Sequence, residues 1–185
     1  KVNNVDRSKI TEVNAGFDPR ILTERKVDIL AVFKSNEPDT VRGLGFEINL
    51  WNPAVYGVPS MGLTYITHQD TVEQNPTVIE RFLKATLQGV QYALENVDET
   101  LDVVLKYAPD QKREHQRFML ETELRDAVGP VTERHGLGWM TEEQWKELYE
   151  HLTEFEALST PFDYRTAYTD RFLEAVYHGD QLRWP

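Results

Sequence analysis

The stretch from Val27 to Gly45, VDILAVFKSNEPDTVRGLG, constrains this chain more than any other, because an apolar run passes straight into a short polar turn that carries a carboxylate. Val27, Ile29, Leu30, Ala31, Val32 and Phe33 make a nearly continuous apolar segment, the pattern expected of a strand covered on both faces in a parallel sheet. Ser35 and Asn36 can cap a helix, Pro38 suits its first turn, and Gly43 and Gly45 stop it within two turns. In an open α/β sheet the carboxyl ends of the strands open into the binding crevice. Asn36 and Glu37 are therefore expected at the crevice mouth.

The chain has 185 residues, of which 40% are hydrophobic, enough for a proper core in one domain or in one lobe and part of another. Lys and Arg total 20 against 31 Asp and Glu, a formal charge of −11, and the acidic residues are spread along the chain. That balance disfavours nucleic acid and anionic membrane as partners. The absence of cysteine removes disulfides, thiol nucleophiles and thiolate metal sites together, without fixing the compartment. No apolar run approaches the roughly 18 residues that would span a bilayer, and no signal peptide is visible. The chain opens on Lys1 and enters polar sequence with no hydrophobic first strand, as a processed or truncated product would.

Two textures divide the chain. Up to about Gln69 short β-like runs predominate: strand Val27 to Phe33 is followed by a second in which Phe46, Ile48 and Leu50 alternate with Glu47 and Asn49. WNPAVYGVPSMG, Trp51 to Gly62, is a loop by its prolines and glycines, and Leu63 to Thr67 is a further strand. Asp18 and Pro19 open a short helix through Arg25. Beyond Gln69 helix dominates. Asn75 and Pro76 start a long helix with Ile79, Phe82, Leu83, Leu87, Val90, Ala93 and Leu94 at helical spacing. Asp98 caps a shorter one, a charged helix runs from about Gln111 to Ala127, and Thr141 with Gln144 forms a capping box before Trp145, Leu148, Tyr149, Leu152 and Phe155. A last helix begins near Thr169.

Catalytic patterns are absent. His68, His115, His135, His151 and His178 form neither HExxH nor HxH, which favours solvated or capping histidines over ligands. Ser60 lies in GVPSMG, not in a GxSxG elbow, and no phosphate-binding glycine loop occurs. Glu37 is more informative. A carboxylate at a helix start occupies the place where an anion would dock, and as an acceptor it suits an N–H edge of a polar heterocycle or amine. The plainer alternative, which periodicity alone favours, is a helix-start carboxylate facing water. Phe33, Trp51, Tyr56 and Tyr65 bracket the same region and could stack a flat ligand or simply pack. Trp139, Trp145, Tyr149 and Phe155 read as packing residues, and QKREHQR, Gln111 to Arg117, as a solvated helix face.

GFDPRILTERKVDILAVF, SNEP, YGVPSMGLTYIT and NPTVIERFLKATLQGVQYALEN, with the Trp139 and Trp145 spacing and a terminal FLEAVY, together carry a resemblance. The chain resembles the C-terminal portion of an NMT1/THI5-like protein, a group that includes solute-binding proteins of ABC importers. The resemblance implies an α/β, periplasmic-binding-protein type II-like fold of two lobes, here incomplete and with a helix-rich C-terminal half. Residues 1–55 would finish the second lobe, 56–185 would return to the first, and the loop Trp51 to Gly62 would be the hinge crossover. It further implies a periplasmic or extracellular, membrane-associated subunit that does no chemistry, needs no cofactor or metal, and hands a small-molecule ligand to an ABC permease in the membrane. Phe33, Asn36, Glu37 and Tyr56 are the residues expected to hold that ligand, a thiamine-type pyrimidine or riboflavin rather than a sulfonate. The alternative is a thiamine-pyrimidine biosynthesis enzyme of the same fold, whose cysteine-rich iron motif this sequence lacks. A helical adaptor, a third class, would need an exposed apolar patch, and the apolar stripes look used up by a core.

Overall fold

Helices form near the expected starts, except that Asp98 lies inside the first turn of the helix Val97–Tyr107 instead of capping it. In the computed structural model, which describes residues 4–58 and 61–183, the helices are α1 (Arg20–Thr23), α2 (Glu37–Gly43), α3 (Gln69–Gln74), α4 (Pro76–Glu95), α5 (Val97–Tyr107), α6 (Arg113–Ala127), α7 (Pro130–His135), α8 (Glu142–Glu154) and α9 (Arg171–Val176). Pro38, Pro76 and Pro130 each stand in the first turn of their helix, where a missing N–H costs no intrahelical bond. The capping box before α8 forms in both directions: Gln144 N–H donates to Thr141 Oγ1 at 3.3 Å and Thr141 N–H to Gln144 Oε1 at 2.8 Å.

The chain divides into two compact units, residues 1–59 with 101–123, and residues 60–100 with 124–185. In the first, Ser35, Glu37, Pro38, Val41, Leu101 and Thr122 are buried. In the second, α4 packs on α9, and Leu87, Leu173, Val176 and Tyr177 form a core flanked by Leu83, Leu137, Trp139 and Leu182. Trp139, Trp145 and Tyr149 pack as the sequence suggests, whereas Phe155 is exposed. Trp139 stacks on His135, Trp145 lies flat on Tyr168 at 4.8 Å, and Tyr149 meets Phe162 edge-on.

The strand expectations need correction. Among the described residues the only ladder is a hairpin, β1 (Tyr177–His178) against β2 (Gln181–Leu182). Val27 to Phe33, Phe46 to Leu50 and Leu63 to Thr67 join no ladder, and Phe33 and Ile66 are 61% and 92% exposed. A buried parallel strand needs bonded neighbours on its edges, and the described residues supply none to these segments. The apolar helix stripes are likewise not all used by a core, since Phe82, Leu94 and Phe155 are exposed. Pro59 of the expected hinge loop and Ser60 lie outside the described residues.

Candidate functional site

The SNEP turn is built tightly. Ser35, Glu37, Pro38 and Val41 are buried, so α2, only seven residues long, buries one face while Thr40, Arg42 and Gly43 stay exposed. Glu37 is 8% exposed, which replaces the picture of a carboxylate facing water. Its Oε2 accepts the backbone N–H of Phe33 at 2.9 Å, closing the polypeptide from the end of the apolar run onto the helix start. A buried carboxylate needs such donors, because desolvation without them costs several kcal/mol, on the order of the penalty for an unpaired buried charge. Oε1 takes no hydrogen bond among the described residues.

Glu37 stands at one side of a cleft of about 290 Å³ lined also by Ala15, Gly16, Phe17, Leu30, Ala31, Val32 and Phe33. Its walls are apolar, two are aromatic, and Glu37 is the one charged lining residue. Phe17, 92% exposed, and Phe33 leave the cleft accessible from solvent. Next to the lining residues Ala15 to Phe17, the Asp18 carboxylate accepts from the Arg20 side chain and, at 3.0 Å, from the Arg20 backbone N–H at the start of α1. Those Arg20 bonds hold the Asp18 carboxyl well below its ordinary range, at about 2. Apolar walls with one oriented acceptor are the features of a site for a flat, mostly apolar molecule with a polar N–H edge.

Residues 1–100 match the family described as NMT1/THI5 like. The chain belongs to the NMT1/THI5-like family. That family has the type II periplasmic-binding-protein fold. Among curated relatives, the chain is 28% identical over 174 residues to the riboflavin-binding protein RibY of Chloroflexus aurantiacus, covering 91% of this chain and 49% of that one. It is 25% identical over 166 residues to the formylaminopyrimidine-binding protein of Halalkalibacterium halodurans, covering 84% and 48%. The chain thus spans about half the length of these relatives. No solved structure matches it.

Of the four residues expected to hold a ligand in this NMT1/THI5-like chain, Phe33 and Glu37 line the cleft together. Asn36 caps α2 by position but makes no capping bond, and its Oδ1 lies 3.0 Å from His115 Nε2 instead. Tyr56 ends the 3-10 turn Pro53–Tyr56 and is not among the cleft's lining residues, nor is Trp51. Tyr65 belongs to the second unit, where it meets Phe82 edge-on at 5.5 Å. Sequence reasoning missed Phe17 and His115. Phe17 carries a signal in retrospect, an aromatic residue between Gly16 and the Asp18 cap; His115 carries none, standing in a charged run that looks solvated.

Proposed function

We propose that this chain is part of an extracytoplasmic solute-binding subunit of an ABC importer, one that takes a small nitrogenous heteroaromatic compound of the thiamine-pyrimidine or riboflavin type. The observation that carries the proposal is the buried Glu37 beside Phe33 and Phe17 in an otherwise apolar cleft. The aromatic side chains suit the faces of a flat ring, and Glu37 Oε1 suits an N–H on its edge. Two curated relatives named for binding riboflavin and a formylaminopyrimidine support the same ligand class, and both are named as binding proteins, which favours transport over the pyrimidine-forming enzyme. No helix among the described residues is long and apolar enough to cross a membrane. In the proposed arrangement the chain contributes to two lobes, closure buries the ligand between them, and the closed form docks on a membrane permease. Asn36 orients the turn and Tyr56 approaches the ligand on closure.

Calorimetry on the full-length protein with riboflavin and with the formylaminopyrimidine tests this. Glu37→Gln keeps an oxygen for the Phe33 N–H and removes the charge. It should weaken binding about ten- to a hundredfold, the worth of a hydrogen bond to a charged acceptor. Recovery of unaltered ligand after incubation should accompany tight binding. Equal affinities of wild type and variant would return Glu37 to a purely structural role, and a converted ligand would restore the enzyme.

A further inference from the structure

His115, on the exposed-looking charged stretch of α6, is 20% exposed and lies against the turn that carries Glu37. Its Nδ1 is 2.7 Å from Asp39 Oδ2 and its Nε2 is 3.0 Å from Asn36 Oδ1. A carboxylate only accepts, so Nδ1 carries a proton. Nε2 meets the Asn36 amide, donating to Oδ1 or, with the amide turned over, accepting from Nδ2. In both cases one ring spans the two residues that flank Glu37 and Pro38.

The local backbone makes this contact more than a surface pairing. Asn36 has φ −126° and ψ −80° and gives no side-chain bond to α2, although an Asn at a helix start ordinarily turns its oxygen onto the second or third N–H. That oxygen goes to His115. The first turn of α2 is thereby held from outside by a residue 79 positions later, and on its other side by the bond from Phe33 N–H to Glu37. Arg113 and Arg117, two residues to either side on α6, are turned to Asp102 and Glu121.

We infer that His115 is a positioning residue for the ligand site: by gripping Asn36 and Asp39 it fixes the helix start so that the Glu37 carboxylate stays aimed at the cleft. The inference rests on the proposed role of Glu37 as the ligand's acceptor. It makes α6 part of the binding apparatus without any residue of α6 touching the ligand.

A double-mutant cycle in the full-length protein tests it, with riboflavin fluorescence quenching and calorimetry with the formylaminopyrimidine as probes. His115→Ala should weaken binding about tenfold. The loss should be largely absent when Glu37 is already Gln, because a residue acting through Glu37 has nothing left to position. His115→Gln, which can still donate one bond, should recover part of the affinity, and it carries the same cycle should the Ala variant fail to fold. Full additivity of the two losses, or an unchanged affinity in His115→Ala while Glu37→Gln weakens binding, would overturn the role of His115 alone. Failure of the wild type to bind either probe, or indifference to Glu37→Gln, would overturn the site reading and this inference with it.

Discussion

Single residues show where this chain has no room to vary. Gly136 follows α7 at φ +106°, a conformation that side chains with a Cβ rarely adopt, and a methyl group there would fall 2.5 Å from Tyr177 Cζ. The ring cannot swing clear at low cost, because Tyr177 is buried in the core and its hydroxyl donates to the Leu137 carbonyl at 3.0 Å. Burial pushes that hydroxyl's pKa above its ordinary value. Gly136→Ala should therefore destabilise the protein by about 2 to 4 kcal/mol, combining left-handed strain with overpacking. A urea midpoint equal to wild type would mean that the ring yields. Glu37 is the opposite case at the same scale. Its position before Pro38 marks it in the sequence, yet its burial and its bond to Phe33 N–H appear only once the turn is folded.

At the scale of elements, the helices were legible and the strands were not. Asn75–Pro76, Thr141 with Gln144 and Asn36–Pro38 announce α4, α8 and α2, since a first-turn proline and a cap act within a few residues; of the three cap positions Thr141 makes the side-chain bond, and Asn75 and Asn36 do not. Thr141→Ala removes the oxygen that accepts Gln144 N–H and should cost about 1 kcal/mol, read as a lowered denaturant midpoint and faster amide exchange in the first turn of α8. A stability unchanged by Thr141→Ala would assign the start of α8 to packing instead, with Trp145 against Tyr168 as the anchor. Val27 to Phe33 and Leu63 to Thr67 have strand composition, but a ladder is a property of two segments, and the second is not found among the described residues. The helix stripes overstated burial for the same reason. Phe82 and Leu94 sit at core spacing on α4 and remain exposed, because spacing defines a face without saying how wide a partner covers it.

For the whole molecule, the proposed transport role requires two lobes that close on a ligand, with the chain crossing between them near Tyr56 and Gly57. Gly57 ends the turn Pro53–Tyr56 at φ +74°, where a residue with a Cβ pays about 1 to 2 kcal/mol. Small-angle scattering of the full-length protein should show a smaller radius of gyration with riboflavin or the formylaminopyrimidine than without. Gly57→Val should reduce or abolish that compaction. Compaction indifferent to this change would put the hinge elsewhere, and no compaction in the wild type would count against lobe closure.

What the sequence determined by itself was local or compositional: the caps and lengths of the main helices, the carboxylate beside a proline after an apolar run, the lack of catalytic spacing, and motifs enough to reach the NMT1/THI5-like family. Each of these depends on residues a few positions apart, within reach of a hydrogen bond or one helical turn. Tertiary structure alone decided that Glu37 is buried, that Phe17 joins Phe33 in one cleft, and that His115 crosses 79 positions of chain to hold Asn36. Such contacts are made by whichever distant surfaces packing brings together, and no periodicity within either segment records its partner.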